Sequence, residues 1–140
     1  MFLNLITFFF LIFNFSVVFS GELLIIIKNV KNINGFMHIA LYDTKKSFPK
    51  KDGKFLGLKK NTELVVNEGV KIKNLKNGNY AVAVFHDENS NNKFDSILGI
   101  PLEGYGFSNN PTIYLTVPTF EEAKFLLHNE ETKKIEIFLK

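Results

Sequence analysis

The chain contains no cysteine, and its 17 basic residues are all lysine. Without cysteine there is no disulfide, no thiolate metal site, no thiol nucleophile and no N-terminal cysteine to carry a lipid. Exported proteins often use disulfides, but a domain of this length can bury a core without them. Phosphate and nucleic-acid sites lean on the planar, bidentate guanidinium. With no arginine, and with lysines scattered among acids, the sequence argues against a nucleic-acid partner. There is no long helical hydrophobic period, no internal repeat, no low-complexity linker and no H-x-x-x-H pair. What remains is room for one domain of short elements.

The first twenty residues, MFLNLITFFFLIFNFSVVFS, are almost wholly apolar and carry no Lys. Val18 and Ser20 stand at the −3 and −1 positions of a cleavage site before Gly21, so residues 1–20 are expected to be a signal peptide. A retained anchor is the alternative, since about 20 apolar residues span a bilayer. Cleavage leaves residues 21–140 as one exported domain, periplasmic or extracellular, with a formal net charge of +3 and no membrane attachment.

That domain alternates short apolar runs with turn-rich breaks. Glu22–Asn29, Phe36–Tyr42, Thr62–Val66, Val70–Leu75, Tyr80–His86, Thr112–Val117, Ala123–His128 and Ile135–Leu139 read as strands. Asn34-Gly35 tolerates positive φ and suggests a tight hairpin between the first two. Lys45–Lys51 and Pro118–Glu122 suit single helical turns, the second capped by Thr119 with Glu122 three residues on. Short strands at a spacing of roughly 8–12 residues suggest an all-β, immunoglobulin-like sandwich of about seven strands, or a barrel. Tyr80–His86 is apolar on both faces, which predicts a mid-sheet strand covered on both sides.

That strand runs directly into an oxygen-rich turn, AVAVFHDENSNNKFD over Ala81–Asp95. Asp87, Asn89, Asn91, Lys93 (through its carbonyl) and Asp95 follow the alternate spacing of the first half of a calcium loop. A hard cation needs about six to eight oxygens at roughly 2.3–2.6 Å, and alternate side chains on a curled loop can converge to supply them. Leu98 occupies the place of the closing bidentate Glu, so this is not an EF-hand. Glu103 could close the set. Such a site would bind Ca2+ weakly, on the order of 10⁻⁴–10⁻³ M. The alternative is a solvated turn whose Asp and Asn side chains bond their own backbone.

His86, Asp87 and Glu103 also suggest a metal-dependent hydrolase, although zinc wants three ligands held on rigid elements with an open position. A strand-end His is more often a packed, hydrogen-bonded residue. Gly104-Tyr105-Gly106 could cradle phosphate, but no helix N-terminus follows it. Tyr105 and Phe107 could instead form a sugar- or peptide-binding platform, with His86 beside them.

The blocks NGNYAVAVFHDENSNNKFD, LGIPLEGYGFSNN and PTFEEAKF, in this order and spacing, resemble domain-of-unknown-function family 2141, small exported bacterial proteins. That family's turn usually carries Gly where Ser90 and Asn92 stand here. The resemblance implies a transthyretin-like β-sandwich and no established activity. The sequence therefore leads to an exported, non-enzymatic module that binds an envelope protein or a polysaccharide, with a calcium-stabilised loop. A hydrolase and a purely structural envelope protein are its rivals.

Overall fold

The computed structural model describes residues 20–113 and 116–140. The leader lies outside them, apart from Ser20. Among the described residues no helix is long and apolar enough to cross a membrane.

Among the described residues the chain is mostly β, with several sheets and no closed barrel. Strands run β1 (Gly21–Lys28), β2 (Phe36–Tyr42), β3 (Leu56–Asn61), β4 (Val70–Leu75) and β5 (Gly78–Asp87). They continue as β6 (Ser96–Ile97), β7 (Ile100–Pro101), β8 (Tyr105–Phe107), β9 (Phe125–Leu127) and β10 (Thr132–Phe138). A three-stranded sheet has the order β10-β1-β4, and a five-stranded sheet has the order β3-β2-β5-β8 with β9 also on β5. β6 and β7 form a separate hairpin.

In β1 the alternation of side chains sends Leu23, Ile25 and Ile27 inward. They meet Met37, Ile39 and Leu41 of β2, and Val82 and Val84 of β5, in one apolar cluster shared by both main sheets. Each of these side chains contributes on the order of 2 kcal/mol by leaving water. β1 is the middle strand of its sheet, parallel to β10 and antiparallel to β4, so the first and last strands close the domain together.

Several segments depart from the sequence reading. Thr62–Val66 is not a strand but part of a helix, α1 (Thr62–Glu68). The Asn61 side chain accepts the Leu64 N–H at its start, and Gly69 at φ 72 ends it; Asn and Gly are the preferred residues at those two ends. α1 packs on β1, β2 and β3. Asn34-Gly35 does not join a hairpin, because β1 and β2 belong to different sheets. Gly35, at φ 63, passes so close to β5 that a Cβ there would lie 1.9 Å from the Asp87 carbonyl oxygen. Of Ala123–His128 only Phe125–Leu127 is strand; Ala123 ends a short helix, α2 (Phe120–Ala123). The Thr119–Glu122 capping box forms as expected. Thr112, Ile113, Thr116 and Val117 are not strand, and 114–115 lie outside the described residues. Lys45–Pro49 forms turns, followed by a 3-10 turn at Lys51–Gly53.

β5 does lie mid-sheet, between β2 and β8, but its outer face is covered along only part of its length. Ala81 is buried under Tyr42, Phe48, Phe107, Phe120 and Ala123. Ser108 locks that cover in place: its hydroxyl accepts the Val82 N–H at 2.8 Å and donates to the Ala123 carbonyl at 2.6 Å. Beyond it Ala83 and Phe85 are half-buried, and the sheet is open.

Candidate functional site

β5 delivers His86 and Asp87 to opposite faces, because successive strand side chains alternate. Both are buried. The Asp87 carboxylate accepts the Asn91 N–H at 2.9 Å, the Asn92 N–H at 2.9 Å and His38 Nε2 at 3.1 Å. Burial opposes its ionisation, yet these donors outweigh burial and hold its pKa below the ordinary 3.8. An ionised carboxylate satisfied by backbone N–H groups is what curls the loop back onto β5.

The rest of the loop repeats this local logic. Asn89 Oδ1 accepts the Asn91 N–H, and Asn91 Oδ1 accepts the Lys93 N–H, two Asx turns in succession. Both amide groups then donate to Asp95 Oδ2, at 2.7 and 2.8 Å. Ser90 and Asn92 sit at φ 63 and 62, the left-handed region that favours glycine. Glu103, also buried, accepts the Glu88 N–H at 3.1 Å and the Asp95 N–H at 3.0 Å, joining the two ends of the loop.

Of the residues expected around a metal, Asn89, Asn91 and Asp95 are brought head to head. Asp87 and Glu103 spend their oxygens on loop N–H groups, and the exposed Lys93 contributes its N–H to the turn. The residues of the hydrolase reading have separate partners. His86 Nε2 donates to the Asn34 carbonyl at 2.6 Å, Asp87 holds His38, and Glu103 holds the loop. Among the described residues no three His, Asp or Glu side chains gather in a metal-holding group.

The expected platform residues belong to a larger feature on the outer face of the five-stranded sheet. Register places Gly57, Ala40, Ala83 and Phe107 in one row across β3, β2, β5 and β8. The next row on the same face is Lys59, His38, Phe85 and Tyr105. Three small residues beside a bulky row leave a trench, part of a cavity of about 760 Å³. His38 stacks on Phe85 with ring centroids 4.5 Å apart, and Phe94 from the loop leans on both Phe85 and Tyr105. Tyr105 is half-buried and faces the trench; Phe107 is buried at its end against Phe48. His86, on the opposite face of β5, takes no part.

Lys51, Lys54, Lys59 and Lys93 also line the cavity, and among the described residues no Asp or Glu does. Lys59 donates to the Asn92 side chain and lies over the Phe36 ring, so the Asp87 loop forms one wall. Sequence reasoning missed Ala40, Ala83, Phe94, Lys51, Lys54 and Lys59, and had Lys93 only as a carbonyl ligand to a metal. The signal was there in the alternation of His38-Ala40-Tyr42 and Ala83-Phe85, but only the pairing of β2 with β5 places Ala40 opposite Ala83.

A family model described as "Uncharacterized protein conserved in bacteria (DUF2141)" matches residues 25–135. No curated protein and no solved structure matches.

Proposed function

The chain belongs to the DUF2141 family, and from that premise we propose that it is an exported, non-enzymatic binding module of the cell envelope. In this reading residues 21–140 form a transthyretin- or immunoglobulin-like β-sandwich in the periplasm or outside the cell. Its outer-face groove receives an envelope component, the role for which an envelope protein or a polysaccharide was expected. The observation that carries the reading is the groove itself. It falls in the size range of ligand sites, is mostly apolar, and has few polar groups to fix orientation. Ala83→Trp fills its floor. The variant should keep its melting temperature and lose binding to envelope fractions in a sedimentation assay. Equal sedimentation of variant and parent would remove the groove from the reading.

The loop has a second part in this proposal. The clustering of Asn89, Asn91 and Asp95 favours a weak calcium site that would stiffen the groove's wall. Their amide groups would turn their oxygens to the ion, with the Lys93 carbonyl and one lone pair each from Asp87 and Glu103 completing the set. A cation that binds only the folded loop raises stability by mass action, about 2.7 kcal/mol at 100 times its dissociation constant. Melting should therefore rise in millimolar calcium, and Asp95→Ala should abolish the rise. Identical melting in calcium and in chelator leaves the turn with a purely architectural role.

A further inference from the structure

We infer that the groove takes a monomeric anionic amphiphile, its hydrocarbon chain in the trench and its carboxylate at the β3 edge. This rests on the groove being the binding site and narrows what occupies it.

Charge supplies the first argument. Among the described residues the lysines in ion pairs are Lys73, Lys124, Lys133 and Lys134, all away from the groove. The four groove lysines pair with no carboxylate. Three of them gather at one edge: Lys59 on β3, Lys54 with its stem over Gly57, and Lys51 beside it. Uncompensated positive charge at the mouth of a low-dielectric groove attracts an anionic head and is weakened by salt.

The second argument is what the groove cannot satisfy. A sugar arrives with a ring of hydroxyls, and each one left unpaired on burial costs free energy. Among the described residues no carboxylate lines this groove, and its polar side chains other than lysine are His38, already held by Asp87, Tyr42, Asn92, Tyr105 and Thr116. Ala40, Ala83, Phe85 and Phe107 instead offer the surface that hydrocarbon needs. The trench crosses four strands, roughly 14 Å at ordinary strand spacing.

A third observation lies beside it. The β6–β7 hairpin, whose Gly99 and Pro101 line the groove, exposes Ile97, Leu98 and Ile100. Leu98 is 98% exposed and at φ 51, a conformation that costs a non-glycine residue and suits Asn or Gly far better. Apolar surface kept at such a position extends the groove outward along the bound chain.

Decanoate below its micellar concentration is the probe, with decanol, an oligogalacturonate and phosphatidylglycerol vesicles as comparisons. Calorimetry should show saturable binding of decanoate, weaker binding of decanol, and no binding of decanoate by Ala83→Trp. The Lys54→Gln/Lys59→Gln double variant should bind decanoate roughly fivefold more weakly or worse and leave decanol unchanged. In the parent protein the Ala40 and Ala83 methyl resonances should shift with decanoate while those of Leu23 stay, a readout that needs no variant to fold. Groove shifts with the oligogalacturonate and none with decanoate would overturn this inference and keep the groove as the binding site. No groove shift with any probe, together with envelope binding that survives Ala83→Trp, would overturn both. Vesicle binding indifferent to Ala83→Trp, with decanoate silent, would replace the amphiphile with hairpin docking on a bilayer.

Discussion

At the scale of single residues, Asp87 shows how one buried carboxylate builds a wall of the groove. Its three donors leave it ionised, and truncation would take the acceptor from the Asn92 N–H, leave the Asn91 N–H only its bond to Asn89 Oδ1, and free His38. Asp87→Ala should cost about 3 kcal/mol in urea unfolding at neutral pH. Because the folded pKa lies below the unfolded one, the contribution is complete above 3.8 and fades as pH falls through the folded value. Stability of the parent should therefore drop on acidification through that range, and Asp87→Ala should show a shallower drop. Ser90 makes a complementary case. It holds φ 63 without the tolerance that Asn92 has at φ 62. Ser90→Gly should raise stability by about 1 kcal/mol. Asn92→Gly should gain less, since it also gives up the contact with Lys59. Equal gains would mean that left-handed strain is not what distinguishes the two positions.

At the scale of elements, legibility followed the range of the interaction. The capping box at Thr119–Glu122 and the strands β1, β4 and β10 could be read because neighbours a few residues apart decide them. α1 was legible too: Asn61 and Gly69 bracket it with ordinary cap residues, but the β-branched Thr62, Val65 and Val66 suggested a strand. The Asn34-Gly35 turn misled for a different reason. Gly35 does take positive φ, although Asn34 does not, and which sheet each flanking strand joins depends on partners far along the chain. The same holds for Phe85. Its neighbours in sequence suggested burial on both faces, whereas the outer cover contributed by Phe107, Phe120 and Ala123 stops at Ala81. Phe85→Ala should accordingly cost about 1–2 kcal/mol, below the ~3–5 of a fully buried Phe. A larger loss in urea unfolding would show that something covers this face in solution.

For the molecule as a whole, the placement of β1 bears on the proposed cleavage after Ser20. Gly21 begins the central strand of the three-stranded sheet, hydrogen-bonded on one side to β10 and on the other to β4. The Glu130 N–H reaches back to the Ser20 carbonyl at 3.2 Å, and a Cβ on Gly21 would lie 2.6 Å from the His128 carbonyl oxygen. A cut after Ser20 therefore spares every strand residue and falls beside the last backbone contact of the sheet. Cleavage one strand residue further in would begin to remove ladder bonds from the strand on which both neighbours depend. The exported form should begin at Gly21 by mass spectrometry and melt cooperatively. Deleting Gly21–Lys28 should leave β4 and β10 without a shared partner and abolish that transition, whereas removing Ser20 alone should shift it little. An exported form that keeps Met1 in the membrane fraction would make the leader an anchor, and the domain would then work tethered to the membrane.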